Sequence, residues 1–184
     1  MKRGLLCWLV AIVTWHHAAA VHAFSDPEAF EWPAIEGGGG GRYFTGSPGD
    51  PYSCSVCHRG GRAPELTIRG LPDRLVPGKT HDVLIRWASP SKSHSLQLEL
   101  AAADGSHADV RLPEPGSLSP QQRCDQREDG APAVFATDLG HRRILGVQDC
   151  GASELRFSFT VPERSQLFLS LGIVRSDGSG TPEG

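Results

Sequence analysis

Apolar and polar residues alternate in short runs over most of the chain. Residues 96–100 read LQLEL and residues 155–161 read LRFSFTV, and residues 81–87 repeat the pattern more weakly. A period of two is typical of β-strands that bury one face. Residues 166–174 are apolar at almost every position, which is typical of a central strand covered on both faces. The pattern therefore predicts short strands rather than long helices.

Strand-sized runs recur along the rest of the chain. We predict further strands at residues 66–69, 107–112, 133–139 and 142–147, and we expect 107–112 to form a hairpin with 96–100. Residues 113–130 are polar and contain prolines, so a long loop is expected there. Seven or eight short strands with no long amphipathic helix predict a mainly β protein, an antiparallel β-sandwich.

The first 23 residues have the pattern of a signal peptide. Two basic residues precede an apolar run at 5–15, and the small-residue pattern of a cleavage site follows at 21–23. We predict cleavage after Ala23, with Ala20 as the alternative position. An uncleaved membrane anchor is the competing interpretation, but the apolar run is short for a span. The prediction is therefore export to an oxidising compartment: the periplasm, the cell surface or the exterior.

Composition narrows the classes of function. The 184 residues have a formal net charge of −3, and loss of Lys2 and Arg3 with the signal peptide takes it to −5. A slightly acidic chain argues against nucleic-acid binding. No apolar run after residue 23 is long enough to span a membrane, so no span is expected in the mature chain. No catalytic constellation or phosphate-binding loop is evident, so an enzyme is not predicted.

Four regions follow the predicted signal peptide. Residues 24–41 form a mixed segment that ends in five glycines, which predicts a flexible linker. Residues 42–64 are rich in Gly, Pro, Ser and Cys and predict an irregular, ligand-bearing loop. The sandwich is expected at residues 65–176, and residues 177–184 form a polar tail.

The ligand-bearing loop contains the sequence CSVCH at residues 54–58. In an exported protein, C-x-x-C-H is the pattern of covalent c-type haem attachment. Two thiols at this spacing reach the two vinyl groups on one edge of the porphyrin, and the adjoining imidazole binds the iron. We therefore predict one haem c, bound by Cys54 and Cys57 with His58 as the iron ligand.

Three other interpretations of the motif stay open. Cys54 and Cys57 are also compatible with a plain disulfide, with a thioredoxin-type redox pair, or with half of a zinc site. The zinc site would need a second ligand pair, and Cys124 and Cys150, 26 positions apart, lack one. We predict that Cys124 and Cys150 form a structural disulfide that restrains the long loop, with a redox-active pair as the alternative.

The sixth ligand of a haem cannot be methionine, because the mature chain has none. The side-chain candidates are His81, His94, His107 and His141, and water or a residue of a partner protein are the other possibilities. His81 shares the side of its strand with Val83, which indicates an inward position.

Two stretches carry a resemblance to a known family. The sequence TGSPGD at 45–50, with the CSVCH that follows it, resembles the opening of the choice-of-anchor V domain family, which is related to the reelin N-terminal (reeler) domain. The second stretch, GLPDRLVPGKTH at 70–81, resembles that family's next motif, with Leu75 and His81 where aromatic residues are usual. The resemblance extends over residues 42–184.

The resemblance implies an exported, immunoglobulin-like sandwich with a haem motif at its head, formed by Cys54, Cys57 and His58. Members of the family often have a histidine in the region where this chain has Cys150. Many also continue into a C-terminal anchor, so a chain that stops at Gly184 suggests a soluble version or an incomplete sequence.

Two functions follow as hypotheses. The first is a monohaem electron-transfer protein, whose acidic charge would favour a basic redox partner. The second is a non-haem adhesion or matrix module of reeler-like type, in which Cys54 and Cys57 form a structural disulfide.

Overall fold

The computed structural model describes residues 27–58, 64–88, 94–124, 130–148, 150–163 and 166–175. The predicted signal peptide at 1–23 and the predicted polar tail at 177–184 lie outside the described residues. Within these ranges the chain forms strands, one short helix and several 3-10 turns. In chain order the elements are helix α1 (Pro27–Glu31), a 3-10 turn (Ala34–Glu36), β1 (Thr45–Ser47), β2 (Asp50–Ser53), a 3-10 turn (Cys54–Val56), β3 (Leu66–Arg69), β4 (Thr80–Trp87), β5 (His94–Ala102), β6 (Asp109–Arg111), two 3-10 turns (Pro115–Ser117 and Pro120–Gln122), β7 (Val134–Leu139), β8 (Arg142–Val147), β9 (Glu154–Thr160) and β10 (Leu167–Arg175).

Two four-stranded antiparallel sheets form the sandwich. One has the strand order β10-β5-β8-β7 and the other β3-β4-β9-β6. Their facing sides enclose a core that includes Leu98, Leu145 and Leu155, each of which is fully buried. The predicted fold class, mainly β and antiparallel, is confirmed.

In strand β9 the alternation of apolar and polar residues corresponds to an alternation of buried and exposed side chains. Leu155, Phe157 and Phe159 point into the core and are buried, whereas Arg156 between them is exposed. Successive side chains of a strand point to opposite faces, so one face meets the opposite sheet and the other meets water. The strand predicted at 155–161 is confirmed.

Strand β5 differs from its prediction. Its pattern indicates one solvent-facing side, yet all nine residues are buried, including the polar Ser95, Gln97 and Glu99. These three share the face that points away from the sandwich core. That face is covered by an additional layer, made of α1, the 3-10 turns at 34–36 and 54–56, and the β1–β2 hairpin. We call it the N-terminal layer.

The N-terminal layer has a small apolar core of its own. Phe30, Tyr43 and Ile144 are buried together, and the Phe30 and Tyr43 rings stack at 4.9 Å between centroids. The predicted glycine linker is part of this layer. The N–H groups of Gly39 and Gly41 donate to the carbonyls of Ala29 and Phe30 in α1, and Gly40 N–H donates to the Trp32 carbonyl just after it. These backbone hydrogen bonds hold the glycines against α1, which differs from a free linker.

The loop at 42–64 is also more regular than expected, because residues 45–53 form the antiparallel β1–β2 hairpin. Two strand positions in the sandwich differ as well. Strand β6 pairs with β9 rather than with β5, since the chain makes one bridge at Ala101–His107 and then crosses to the other sheet. Strand β10, predicted as central, is at the edge of its sheet among the described strands.

A search of the described ranges for a helix long and apolar enough to cross a membrane finds none.

Candidate functional site

The CSVCH motif begins where β2 ends. Residues Cys54–Val56 form a 3-10 turn, and the backbone N–H groups of Cys57 and His58 both donate to the Cys54 carbonyl, at 3.2 and 2.9 Å. Ser53 is extended at the start of this turn. A single tight turn therefore carries both cysteines and the histidine. A thioredoxin-type pair would need a helix N-terminus at this point, and the structure has a three-residue turn there.

Both cysteines of the motif are free thiols in the structure. The Cys54 thiol donates a long hydrogen bond to the Phe44 carbonyl, at 3.8 Å from sulfur to oxygen. On its other side lies Gly172 of β10, where an added Cβ would stand 2.7 Å from the sulfur. Burial raises the pKa of the Cys54 thiol to about 11, and the neighbouring Cys57 adds to the effect.

His58 is half-buried, but its Nδ1 atom is fully buried and has no hydrogen-bond partner in the described part of the chain. A buried polar atom without a partner costs about 1–3 kcal/mol. A histidine that binds iron through Nε2 donates its Nδ1–H to a second group, and the described part of the chain supplies no such acceptor for His58.

These observations bear on whether the turn fits a haem. The donor set fits: two unpaired thiols at C-x-x-C spacing are followed directly by an imidazole. Addition of each thiol across a vinyl group needs a reduced cysteine, and both are reduced here. Within the described ranges, no group of three or more His, Cys, Asp and Glu side chains is placed to hold a metal ion.

A buried ionic cluster attaches the β1–β2 hairpin to the sheet. Arg142 of β8 contacts Glu99 of β5 through two nitrogens, with Nη2 2.8 Å from Oε2 and Nε 3.1 Å from Oε1. The same Nη2 lies 3.3 Å from Oδ2 of Asp50, at the start of β2. All three side chains are at least nine-tenths buried, so their pairing is not weakened by water. We call these three residues the clamp.

The hairpin contributes two hydroxyl groups to the clamp. Ser47 and Thr45 donate to Oε2 of Glu99 at 2.6 and 3.1 Å. Burial alone would raise the pKa of Glu99, but hydrogen bonds from Arg142 and Ser47 outweigh it and hold that pKa below its ordinary value. The carboxylate is therefore ionised when the protein is folded.

Asp50 links the clamp to the turn. Its Oδ2 atom accepts hydrogen bonds from the backbone N–H groups of Tyr43 and Phe44, at 2.7 and 2.9 Å. Phe44 has a left-handed backbone, with φ at 55°, which is uncommon for a residue other than glycine. Its carbonyl is the group that faces the Cys54 thiol.

Sequence reasoning identified the TGSPGD stretch as a point of resemblance, and it missed Glu99 and Arg142. The structure shows what three of the six positions do, because Thr45, Ser47 and Asp50 all bond within the clamp. Glu99 occupied a polar position of an alternating strand and was therefore expected to face water. The one available signal was the cluster of short polar side chains at 45–50 preceding the cysteines.

The four candidate histidines make their contacts elsewhere in the sandwich. His81 of β4 lies beside Phe159, with ring centroids 5.5 Å apart. His94 begins β5 on its core-facing side, near the Trp87 ring. The last two are adjacent to each other, because the His107 ring contacts the His141 carbonyl. The structure thus spreads them over three places, and none of these contacts involves the turn that carries the cysteines.

The predicted disulfide is present. Cys124 and Cys150 are joined with an S–S distance of 2.05 Å and a separation of 26 residues, and both are buried. The bond connects the loop after β6 to the segment between β8 and β9. It therefore closes the part of the sandwich that contains the least regular structure.

Comparisons with known proteins give likenesses of fold. The sequence matches no protein-family model and no curated protein. Among solved structures, the reeler domain of human F-spondin (fragment 1) is 15% identical, with a TM-score of 0.40 over 65% of this chain and 81% of that one. The Reelin-N domain of F-spondin is 14% identical, with a TM-score of 0.40 over 68% and 89%.

Proposed function

We propose that this chain is an exported monohaem protein of the c type that transfers electrons. Cys54 and Cys57 form the two thioether bonds and His58 is the iron ligand. One observation carries the proposal: a single turn presents two free thiols at C-x-x-C spacing, followed directly by the imidazole of His58. The other two cysteines of the described chain are joined to each other.

The state of the cysteines supports the proposal. Each thioether forms when the S–H of a cysteine adds across a vinyl double bond, with no atom lost. A Cys54–Cys57 disulfide would block that addition, and both residues are free thiols here. Because Cys124 and Cys150 already pair with each other, they offer the motif no competing disulfide partner.

A bound haem would supply an iron that changes between ferric and ferrous states and so carries one electron. The chain's own contribution is to hold the attachment turn against the β10-β5-β8-β7 sheet through the clamp. We infer water or a side chain of a partner as the sixth ligand, since the four candidate histidines make their contacts elsewhere. The net charge of −5 after loss of the predicted signal peptide favours a basic redox partner.

Export is part of the proposal. The disulfide between Cys124 and Cys150 supports an oxidising compartment, since such bonds are rare where thiols are kept reduced. Together with the predicted signal peptide at 1–23, this favours the periplasm, the cell surface or the exterior.

The second candidate is a non-haem adhesion or matrix module of the reeler-like type. The packing of Cys54 favours it, because the sulfur already contacts both the Phe44 carbonyl and Gly172 of β10. In that case the turn is a structural attachment of the N-terminal layer, and the sandwich presents a binding surface. Oxidation of Cys54 and Cys57 would then form a structural disulfide within the turn.

An absorption spectrum separates the two candidates. The protein is exported from a host that matures c-type cytochromes, and its spectrum is recorded oxidised and after dithionite. We expect a Soret band that survives acid-acetone extraction and, in alkaline pyridine after dithionite, the sharp α and β bands of haem c, with a Cys54→Ser/Cys57→Ser variant showing none of these. A folded, colourless wild-type protein would support the adhesion module instead.

A further inference from the structure

We propose that Arg142, Asp50 and Phe44 act together as a positioning device for Cys54. Arg142 holds Asp50, Asp50 holds the backbone of Phe44, and the Phe44 carbonyl meets the Cys54 thiol. This inference rests on the proposed function, because it assigns the device to the first haem-attachment residue.

The first contact is ionic and buried. Nη2 of Arg142 lies 3.3 Å from Oδ2 of Asp50 while it also holds Glu99 at 2.8 Å. Arg142 and Glu99 belong to paired strands of one sheet. The ion pair with Arg142 therefore holds Asp50 in a fixed position relative to that sheet. An ion pair in this environment tolerates little displacement, because any gap leaves a charge without a partner or water.

The second contact fixes a strained backbone. Asp50 accepts hydrogen bonds from the N–H groups of both Tyr43 and Phe44. Phe44 has φ at 55°, a conformation that persists only where the surroundings determine it. The carboxylate of Asp50 is the group that does so here.

The third contact fixes the position of the Cys54 sulfur. The Phe44 carbonyl lies 3.8 Å from Sγ of Cys54 and would lie 3.0 Å from a Cβ on Gly172. The sulfur and the Phe44 carbonyl thus lie side by side against Gly172 of β10. Apolar replacement of all the members of a buried ionic cluster together often leaves stability unchanged or raises it, whereas loss of one member is costly. The benefit of the charged residues is therefore geometric: they define where the first thioether forms.

The test uses the haem-free protein, produced without cytochrome c maturation, and iodoacetamide as the probe. Alkylation of Cys54 and Cys57 is followed by peptide mass spectrometry, and the ratio of their rates is the readout. In the wild type we expect Cys54 to react more slowly than Cys57. In Asp50→Ala we expect the Cys54 rate to rise about tenfold relative to Cys57, as local opening exposes the sulfur.

Two further variants make the test specific. Glu154→Ala removes another fully buried carboxylate, one that pairs with Arg86 and Arg156 in the opposite sheet, and it should leave the ratio within about twofold of wild type. Glycine adopts positive φ without strain, so Phe44→Gly should keep the backbone conformation at position 44. Cys54 should then stay protected from alkylation. If Asp50→Ala does not fold, Asp50→Asn takes its place, with a smaller rise expected.

An unchanged ratio in a folded Asp50 variant would overturn the positioning role, and so would an equal rise in Glu154→Ala. The matured protein gives the second readout: Asp50→Ala should contain haem attached through Cys57 alone, with a shifted α band. If the wild type carries no haem, the proposed function fails, whereas the alkylation ratio still decides whether the device holds Cys54.

Discussion

The sulfur of Cys54 rests against Gly172 of β10, at a point where a Cβ on Gly172 would come within 2.7 Å of it. Glycine at this position lets the attachment turn lie directly on the sheet. The contact joins the N-terminal layer to an edge strand of the sandwich, so it couples the cysteine motif to the fold.

Replacement of Gly172 by alanine should therefore destabilise the protein through crowding at Cys54. We expect a loss of about 1–3 kcal/mol in the free energy of unfolding, measured by urea denaturation. Gly116→Ala is the matched control, because a Cβ there would meet nothing within 4 Å. In the Cys54→Ala background the cost of Gly172→Ala should shrink, since the sulfur is gone. An equal cost in both backgrounds would show that the sulfur is not the obstacle.

Removal of Arg142 should be among the most damaging single changes. Arg142→Met leaves the carboxylates of Glu99 and Asp50 buried without their cation, and we expect a loss of about 3–5 kcal/mol. The control is Arg111→Met, which breaks an exposed pair with Asp109 and should cost less than about 1 kcal/mol. Similar losses in the two variants would contradict the clamp.

The clamp also predicts a pH dependence. The pKa of Glu99 is held below its ordinary value of 4.5 in the folded protein, so its ionised form stabilises the fold at any pH above that value. This contribution declines as the pH falls below 4.5 towards the lower, folded value. Unfolding measured in urea at several pH values should show Glu99→Gln less stable at neutral pH but less sensitive to acid than the wild type. Parallel curves would rule out this role for Glu99.

The disulfide should stabilise the sandwich by restricting the unfolded chain. Cys124 and Cys150 are 26 residues apart, and for a loop of this size we expect the Cys124→Ala/Cys150→Ala variant to lose about 3 kcal/mol. Thermal unfolding under non-reducing conditions measures the difference, with Cys57→Ser as a control that leaves the bond intact. A variant as stable as the wild type would mean that the loop is restrained by its other contacts.

The strands of the sandwich were predictable where one face meets the core and the other meets water. β9 is such a strand: Phe157 and Phe159 are buried and Arg156 is exposed, as the alternation indicated. β10 was predicted as central because it is apolar on both faces. Leu169 and Leu171 pack on the core, whereas on the other face Phe168 is exposed and Gly172 lies under Cys54.

The N-terminal layer could not be predicted in the same way. Its residues have no sustained period, and its five glycines suggested a linker although Gly39 and Gly41 donate backbone hydrogen bonds to α1. Glu99 looked solvent-facing because nothing local to it indicates that Arg142 and Asp50 converge there. Such a cluster depends on contacts between residues 43 to 92 positions apart, which single-sequence patterns do not record.

The most direct test of the account is the intact mass of the exported protein under denaturing conditions, after production with cytochrome c maturation. We predict a mass that exceeds the mature chain by that of one haem, and the loss of this increment in Cys54→Ser/Cys57→Ser. A wild-type mass equal to the chain alone, with Cys54 and Cys57 joined or still free, would contradict haem attachment and leave the reeler-like module as the function to test.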